Sequence, residues 1–238
     1  MPRTKRVALT FDDGPAESTT TIVEILEAKE APATFFVVGR RARRLPDVVR
    51  RVAGSAYAEV GNHTWSHADL VTLPEEEVRH EITRASDLLR DLCGAPVTAF
   101  RPPRGHHDRV VRDIAAQAGL DVILFSLNPK DWANQDADAV VETILGQARD
   151  GDVVVLHDTL VATAAAVGRI IDGLRERGFV IVPHRELTGD LAPGTWSDGA
   201  TSGAVRAARY ARRQPQRLRA HASRLARSAG LRPGAITD

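Results

Sequence analysis

Apolar runs alternate with amphipathic stretches along most of this chain, from residue 7 to residue 183. A strand followed by a helix and another strand implies a parallel sheet, because parallel neighbours need a crossover connection. About seven such units favour a closed or nearly closed (β/α) barrel, and an open doubly wound sheet is the alternative. The predicted strands are residues 7–11, 33–38, 57–60, 97–100, 120–125, 153–156 and 179–182.

Between these runs lie six helix-like segments. A cap, a proline and acidic residues open one of them at Thr72–Glu75, and Gly119, Gly151 and Gly178 end three others. The predicted helices are residues 18–29, 46–54, 75–92, 108–118, 136–149 and 162–177.

Polar motifs follow five of the predicted strands. The carboxyl ends of parallel barrel strands meet on one face, where active sites are built. Scattered surface polar residues would show no such bias, so the sequence predicts one shared site. In chain order the motifs are Asp12-Asp13, His63–His67, Arg101–Gly105, Asn128–Trp132 and His157-Asp158.

Two of these motifs together indicate a metal site. Asp12 and Asp13 are adjacent carboxylates at a strand end, which is costly unless a cation lies beside them. His63 and His67 are four residues apart and would share one face if the segment were helical. Imidazole nitrogen and carboxylate oxygen suit zinc or a similar divalent cation. Each motif alone has a simpler interpretation, a tight turn in one case and two surface histidines in the other.

Composition and length restrict the class of protein to which this chain can belong. The 238 residues are 43% hydrophobic, which supports a sizeable core, and no apolar run approaches the ~20 residues that cross a bilayer. The residues before the first strand hold no signal-peptide core, so we predict a cytoplasmic location for the chain as given. The single cysteine, Cys93, excludes an internal disulfide, and its helical spacing from Leu89 and Leu92 predicts a packed structural thiol.

Charge separates the C-terminal segment from the rest. The net charge is +1, but residues 200–238 hold nine arginines and one acid, which puts +8 there and leaves −7 in residues 1–199. We predict a catalytic domain at residues 1–188 and a basic, helical extension at residues 189–238. The arginines are not interleaved with a series of aromatic residues, so no nucleic-acid partner is expected. Contact of the tail with an anionic membrane surface is a weaker alternative.

The five motifs, in this order, closely resemble those of the polysaccharide deacetylases of the NodB-homology type, carbohydrate esterase family four. The first motif is matched in full, and the histidine pair matches the second. Five ordered motifs are far more specific than any single pattern. The resemblance covers about residues 5–188, and its matching segments are Thr10–Pro15, His63–His67, Arg101–Gly105, Asn128–Trp132 and Val155–His157.

This resemblance implies a deformed (β/α) barrel that hydrolyses acetyl groups, most often an N-acetyl group on a hexosamine. It implies that Asp13, His63 and His67 bind the metal, which would be zinc or another divalent cation such as Co²⁺ or Ni²⁺. The other implied catalytic roles are Asp12 as general base, Arg101 as its charge partner, His157 as general acid and Asp131 as the partner of His157. The implied substrate-binding residues are Pro103, Arg104, Trp132 and Val155, of which Trp132 and Val155 would line the acetyl pocket.

These roles suit the chemistry of amide hydrolysis. An amide carbonyl is a poor electrophile, so a cation with an open position would polarise it and activate a water. Asp12 could then take the proton of the water. His157, charged near neutral pH beside Asp131, could supply the proton that the leaving amine needs. A backbone N–H of the Arg101–Gly105 loop could face the developing oxyanion.

Two positions depart from the usual motifs. Arg104 stands where an aromatic residue is usual, and we expect its charge to favour anionic or phosphate-bearing substrates or to narrow the groove. Asn128 replaces an aspartate and receives no role. His106, His107 and His184 lie outside the motif positions and are expected to be solvated or structural.

Three functions stay open at this point. The first is metal-dependent removal of an N-acetyl or O-acetyl group from an acetamido sugar, whether an oligosaccharide, a glycan precursor or a natural-product sugar. The second is a catalytically inactive barrel that binds carbohydrate, against which the intact acids and histidines argue. The third is a different amide hydrolase on the same scaffold that cleaves a non-sugar C–N bond, such as that of a cyclic ureide.

Overall fold

The computed structural model describes residues 4–188 and 196–197. Strands and helices alternate through most of this range. The strands are β1 Lys5–Asp12, β2 Ala33–Val37, β3 Ala58–Asn62, β4 Ala99–Phe100, β5 Asp121–Ile123, β6 Asp152–His157, β7 Phe179–Ile181 and β8 Trp196–Ser197. The helices are α1 Glu17–Ala28, α2 Gly39–Arg44, α3 Pro46–Ala53, α4 Glu75–Cys93, α5 Arg109–Gln117, α6 Ala137–Gln147, α7 Val161–Glu176 and α8 His184–Thr188, with 3₁₀ turns at Leu70–Thr72 and Pro103–Gly105.

The described strands form one parallel sheet that curls into a partial barrel. Its order is β6-β1-β2-β3-β4-β5-β8, and β7 pairs with the beginning of β1. The chain that follows β5 reaches β6, where Leu127 bridges to Val154 and its carbonyl accepts a hydrogen bond from Val155 N at 2.9 Å. The sheet therefore folds back toward its other edge, which confirms the predicted deformed (β/α) barrel.

Strand β1 lies in the core of the barrel for most of its length. Its residues from Val7 to Asp12 are all buried, as is typical of a parallel strand covered on both faces. Phe11 stacks on Phe35 of β2 with ring centroids 4.9 Å apart. The register with β6 places Asp12 beside His157. Two site candidates that are far apart in the sequence therefore occupy neighbouring strand ends.

Local sequence signals explain where several helices begin and end. Asp108 and Asp136 cap α5 and α6, because their carboxylates accept hydrogen bonds from the backbone N–H groups of Val111 and Asp138. Helix α4 ends at Gly94, which has a φ of 66° and therefore the left-handed conformation that glycine adopts without strain. The long helices α1, α4 and α7 bury apolar faces against the barrel.

The structure adds three short elements to the predicted set. Helix α2 buries only Gly39 and Ala42, so it has no apolar stripe for periodicity to detect. Helix α8 has only five residues, and β8 only two. Strand β8 pairs with β5 and comes from the segment assigned to the C-terminal extension. The domain boundary at residue 188 stays a prediction.

Three expectations concern features away from the site. Cys93 is half-buried at the end of α4 and packs against the main core, where burial raises the pKa of its thiol. Among the described residues, no helix is long and apolar enough to cross a membrane, and the cytoplasmic location stays a prediction. The basic extension at residues 189–238, predicted to be helical with membrane contact as a weaker alternative, lies outside the described residues except for residues 196–197.

Candidate metal centre and active site

The motif residues converge at the carboxyl ends of the barrel strands. Asp12 is the last residue of β1, and His157 is the last residue of β6. His63 directly follows β3, and Arg101 directly follows β4. A hydrogen bond of 2.9 Å from Arg101 N to Asn62 O holds the ends of β3 and β4 together. One face of the barrel therefore carries these side chains, as the order of motifs and strands predicted.

Asp13, His63 and His67, the metal triad, form a compact cluster. Their potential ligand atoms all lie within 4.8 Å of one another, and no other described group of acids, histidines and cysteines meets this spacing. Asp13 Oδ1 is 3.4 Å from His63 Nε2 and 3.1 Å from His67 Nε2. The centroids of the two imidazole rings are 5.0 Å apart.

The donor chemistry of the triad fits a divalent cation. Asp13 Oδ1 is buried and has no hydrogen-bond partner in the described chain. Burial opposes ionisation of this carboxyl, but His63 and His67 outweigh it and hold the pKa of Asp13 far below its usual range. His63 Nδ1 lies 2.6 Å from the carbonyl oxygen of Arg101 and donates to it, so Nε2 is the nitrogen that faces the cluster. One carboxylate oxygen and two imidazole nitrogens are donors that zinc-like cations prefer.

A loop brings the two imidazoles together. Residues 63–67 are not helical, and Thr64 and His67 have φ values of 67° and 63°. Asn62 Oδ1 accepts a hydrogen bond from Thr64 N at 2.7 Å, and Thr64 Oγ1 accepts one from His67 N at 3.0 Å. The helical spacing invoked for this pair therefore does not apply, because turns fixed by short polar side chains take its place.

Trp65 anchors this loop to the surrounding helices. Its buried side chain lies against Gly39, where an added Cβ atom would be 2.6 Å from Trp65 Cε3. The guanidinium of Arg84, on α4, lies 3.7 Å from the centroid of the indole ring. Gly39 N donates a hydrogen bond to Thr64 O at 2.9 Å. Helices α2 and α4 therefore hold the loop that carries both triad histidines.

Arg101 fixes the position of Asp12. Its guanidinium is fully buried, and its Nη1 donates to Asp12 Oδ1 and to Thr10 Oγ1, each at 2.7 Å. Its other nitrogens donate to the carbonyl oxygens of Ile123 and Leu124 at 3.0 Å. Burial lowers the pKa of Arg101, while the adjacent Asp12 carboxylate acts in the opposite direction. Asp12 Oδ2 is free of the arginine and lies 3.8 Å from His63 Nε2, next to the triad.

His157 is held by Asp131. His157 Nδ1 lies 2.7 Å from Asp131 Oδ1, and His157 N donates to Asp131 Oδ2 at 2.8 Å. Thr163 Oγ1 donates to the same Oδ2 at 2.7 Å, and Trp132 N donates to Oδ1 at 3.1 Å. Burial lowers the pKa of His157, but Asp131, helped by Asp12 and Asp13, outweighs burial and raises the pKa to about 9. The imidazole is therefore charged at neutral pH.

The residues expected to bind substrate differ in accessibility. Trp132 is 58% exposed beside the Asp131–His157 pair, whereas Val155 and Pro103 are buried. Of the two residues expected to line the acetyl pocket, only Trp132 presents a large surface to solvent. Arg104 is exposed, but its Nη1 lies 3.3 Å from Asp69 Oδ2, so its charge already has a partner.

The sequence reasoning gave no role to Asp158, which follows His157. Its carboxyl group is fully buried against Gly14, where an added Cβ atom would lie 2.1 Å from Asp158 Oδ2. Thr19 Oγ1 donates to Oδ2 at 2.5 Å, while Oδ1 has no partner in the part of the chain described. Burial raises the pKa of Asp158 to about 7, against the hydrogen bond from Thr19. In the sequence, Asp158 is marked only by its position directly after His157.

Asn128 supports a loop beside the site, and three histidines lie outside the triad. Asn128 Oδ1 accepts a hydrogen bond from Lys130 N at 2.7 Å, which stabilises the turn before Asp131. His184 lies 2.9 Å from Thr34 Oγ1 in the core, and burial lowers its pKa to about 4. His107 is also buried with a lowered pKa, and His106 lies 3.1 Å from Asp69. None of these histidines belongs to the triad.

Comparison with known proteins gives consistent matches. The family model described as polysaccharide deacetylase matches residues 1–123. A chitooligosaccharide deacetylase of Sinorhizobium fredii (strain NBRC 101917 / NGR234) is 35% identical over 190 residues, covering 74% of this chain and 88% of that protein. The peptidoglycan-N-acetylmuramic acid deacetylase PdaC of Bacillus subtilis (strain 168) is 34% identical over 187 residues, which cover 78% of this chain. This chain spans only 39% of the length of that relative.

The structural comparison agrees with the sequence matches. The solved structure described as T48 deacetylase with substrate has a TM-score of 0.77 and 29% sequence identity, covering 82% of this chain and 97% of that one. The family model spans the Asp-Asp turn, the histidine pair and the Arg101–Gly105 loop. Taken with the curled parallel barrel, these matches show that the chain belongs to the polysaccharide deacetylase family.

Proposed function

We propose that this chain is a metal-dependent deacetylase that hydrolyses the N-acetyl group of an acetylated amino sugar and releases acetate. One observation carries the proposal. Asp12 lies between the buried Arg101 and the metal triad, and His157 occupies the neighbouring strand end. A base, a cation site and an acid therefore border the same space. We assign this activity to residues 1–188, with β8 as an added edge strand.

Asp12 would act as the general base. Arg101 holds Asp12 Oδ1, which leaves Oδ2 to accept a proton. A water beside Oδ2 would give up that proton while its oxygen attacks the acetyl carbonyl carbon. Because Arg101 is fully buried and bonded to four acceptors, it fixes the carboxylate without moving during the reaction.

His157 would act as the general acid. Its Nδ1 is engaged by Asp131, so Nε2 is the nitrogen that can face the substrate. The imidazolium would transfer its proton to the amide nitrogen as the C–N bond breaks. The amine can then leave as a neutral group, and the acetyl carbon leaves as acetate.

The metal triad would hold a divalent cation, for which we propose zinc, with Co²⁺ or Ni²⁺ as substitutes. Once bound, such a cation polarises a carbonyl and lowers the pKa of a water. The triad supplies three protein ligands, the number that is typical of catalytic sites with an open position.

The proposed substrate class is an acetylated amino sugar within an oligosaccharide or glycan. The Sinorhizobium relative is named for chitooligosaccharides, and the Bacillus relative for the N-acetylmuramic acid of peptidoglycan. The exposed indole of Trp132 offers a flat apolar surface on which a sugar ring could stack beside His157.

Acetate release from a panel of acetamido sugars tests the proposal. We expect release from N-acetylated chito-oligosaccharides, loss of activity with a chelator and recovery with Zn²⁺ or Co²⁺. Asp12→Asn should slow release by about 10²- to 10⁴-fold without loss of bound metal. Sugar binding without release under any metal would indicate an inactive carbohydrate-binding barrel. Hydrolysis of a cyclic ureide in place of the sugars would indicate the non-sugar amide hydrolase.

A further inference from the structure

We propose that the substrate carries anionic groups, which bind an arginine patch on α2 next to the metal triad. The α2 arginine patch consists of Arg40, Arg41, Arg43 and Arg44. The inference rests on the proposed function and narrows it to acetylated glycans that bear carboxylate or phosphate groups.

These arginines have no acidic partner among the described residues. All four are exposed, and they lie within five consecutive positions of one short helix. Like charges at this spacing repel one another, so an anion from outside the chain would relieve the repulsion. Five arginines on other helices, exposed except for the half-buried Arg79, do pair with acids, namely Arg50 with Asp47, Arg79 with Glu75, Arg90 with Asp87, Arg109 with Asp113 and Arg169 with Asp138.

The patch begins on the same face of the barrel as the metal triad. Helix α2 starts two residues after the carboxyl end of β2. Arg40 N donates a hydrogen bond to Trp65 O at 2.8 Å, and Trp65 is two residues from each triad histidine. Two residues of extended chain span at most ~7 Å. A glycan with one acetamido group at the triad could therefore reach the patch with a neighbouring unit.

Positive charge also lies against Trp65 in the loop that carries the triad histidines, while the buried Glu81 accepts hydrogen bonds from Ser66 in the same loop. The guanidinium groups of Arg43 and Arg84 lie 5.4 and 3.7 Å from the centroid of the Trp65 ring. Because residues 1–199 carry a net charge of −7, this basic region is a local exception and not part of a generally basic surface. Arginine binds carboxylate and phosphate groups through paired N–H donors, which would orient a glycan across the site.

The contacts of Arg104 favour the α2 arginines, and not Arg104, as the groups that bind an anionic substrate. Arg104 was the residue expected to attract anions, but Asp69 lies 3.3 Å from its guanidinium. His106 contacts the same carboxylate at 3.1 Å. The arginines of α2 have no such competitor in the described structure.

Deacetylation kinetics on matched pentamers test the inference. The substrates are neutral N-acetylchitopentaose, a pentameric strand of alternating N-acetylglucosamine and N-acetylmuramic acid that bears carboxylates, and 6-O-phosphorylated N-acetylchitopentaose. We expect the wild-type chain to prefer at least one anionic pentamer by about tenfold in kcat/KM at low salt, and to lose the preference near 1 M salt. The anionic pentamer that the wild-type chain prefers shows whether the patch binds carboxylate or phosphate groups.

Two triple variants distinguish an effect of the α2 arginine patch from an effect of the net charge of the chain. Arg40→Gln/Arg41→Gln/Arg44→Gln should remove most of the anionic-to-neutral preference. Arg90→Gln/Arg109→Gln/Arg169→Gln removes the same three charges from paired positions and should retain the preference. An equal anionic-to-neutral ratio of kcat/KM in wild type and both variants, or an equal loss of this preference in both variants, would overturn the inference. Deacetylation itself would still be established. If no pentamer is deacetylated, the proposed function fails, and calorimetric binding of the anionic pentamers to both variants still tests the patch.

Discussion

At the scale of single residues, the proposed base and acid are held by partners of opposite charge. Arg101 contacts one oxygen of Asp12, and Asp131 holds His157 as an imidazolium. The two side chains occupy register positions on adjacent strands, so the two proton transfers would occur on the same face of the barrel.

The titration of His157 provides a test at this scale. Asp131 outweighs burial and raises the pKa to about 9, above the ordinary value of 6.5. The charged form should therefore stabilise the fold fully below pH ~6.5, and this stabilisation should disappear as the pH rises through about 9. Asp131→Asn should shift the pKa of His157 toward 6.5 and reduce its charged fraction at pH 8 by roughly 30-fold.

Nuclear magnetic resonance of the imidazole protons in the chelator-treated protein measures this pKa directly. His184, which is buried away from Asp131 and has a pKa lowered to about 4, serves as an internal comparison. A wild-type His157 that titrates near 6.5, or is unaffected by Asp131→Asn, would contradict the proposed role of Asp131.

Sequence motifs located the proposed reacting side chains but not all of the residues that hold them in place. Asp12, Asp13 and the two triad histidines could be named because charged residues at strand ends need a cation or a partner. Thr10, which shares Arg101 Nη1 with Asp12, has no such signal, because a threonine within a strand is ordinary. The packing of Asp158 against Gly14 depends on the register of β1 and β6, which periodicity does not reveal.

At the scale of secondary structure, apolar runs predicted the seven main strands because buried parallel strands are continuously hydrophobic. The loop at residues 63–67 could not be predicted, since its shape depends on turns made by Asn62 and Thr64 side chains. Helix α2 escaped prediction because it lacks an apolar stripe. Nevertheless, α2 contacts the loop that carries the triad histidines directly.

A substitution in α2 should therefore weaken metal binding from outside the triad. In Gly39→Ala the new methyl group would lie 2.6 Å from Trp65 Cε3, so the indole and its loop must shift. We expect zinc affinity to fall about 10- to 100-fold, as is typical when groups that orient metal ligands are disturbed. Competition with a chromophoric chelator measures the affinity. Gly146→Ala, at a helical glycine with open space around it, is the matched control, and an equal effect of both substitutions would refute this coupling.

At the scale of the whole molecule, the triad joins segments that are far apart in the sequence. Its ligands follow β1 and β3, and the proposed general acid, His157, is the last residue of β6. A cation that binds only the folded chain should therefore stabilise the entire barrel. The partial barrel itself was predictable from the alternation of strands and helices, whereas the contact of Leu127 with β6 required the three-dimensional structure.

Thermal unfolding with and without zinc measures how much a bound cation stabilises the barrel. Zinc at 100 times its dissociation constant should add about 2.7 kcal/mol to the free energy of unfolding. For a chain of this size we expect the midpoint to rise by about 5–10 °C. His67→Ala should reduce the zinc-dependent shift, whereas His106→Ala should leave it unchanged. Equal shifts in both variants would place the cation elsewhere.

Calorimetric titration of zinc into the metal-free chain tests the central claim most directly, when wild type, Asp12→Asn and Asp13→Asn are compared. The structure predicts one ion per chain for wild type and Asp12→Asn, and binding at least ~100-fold weaker for Asp13→Asn, because Asp13 Oδ1 is the oxygen that faces both imidazoles. Unchanged zinc binding by Asp13→Asn, or loss of binding in Asp12→Asn alone, would contradict the proposal that Asp13 binds the metal while Asp12 acts as the general base.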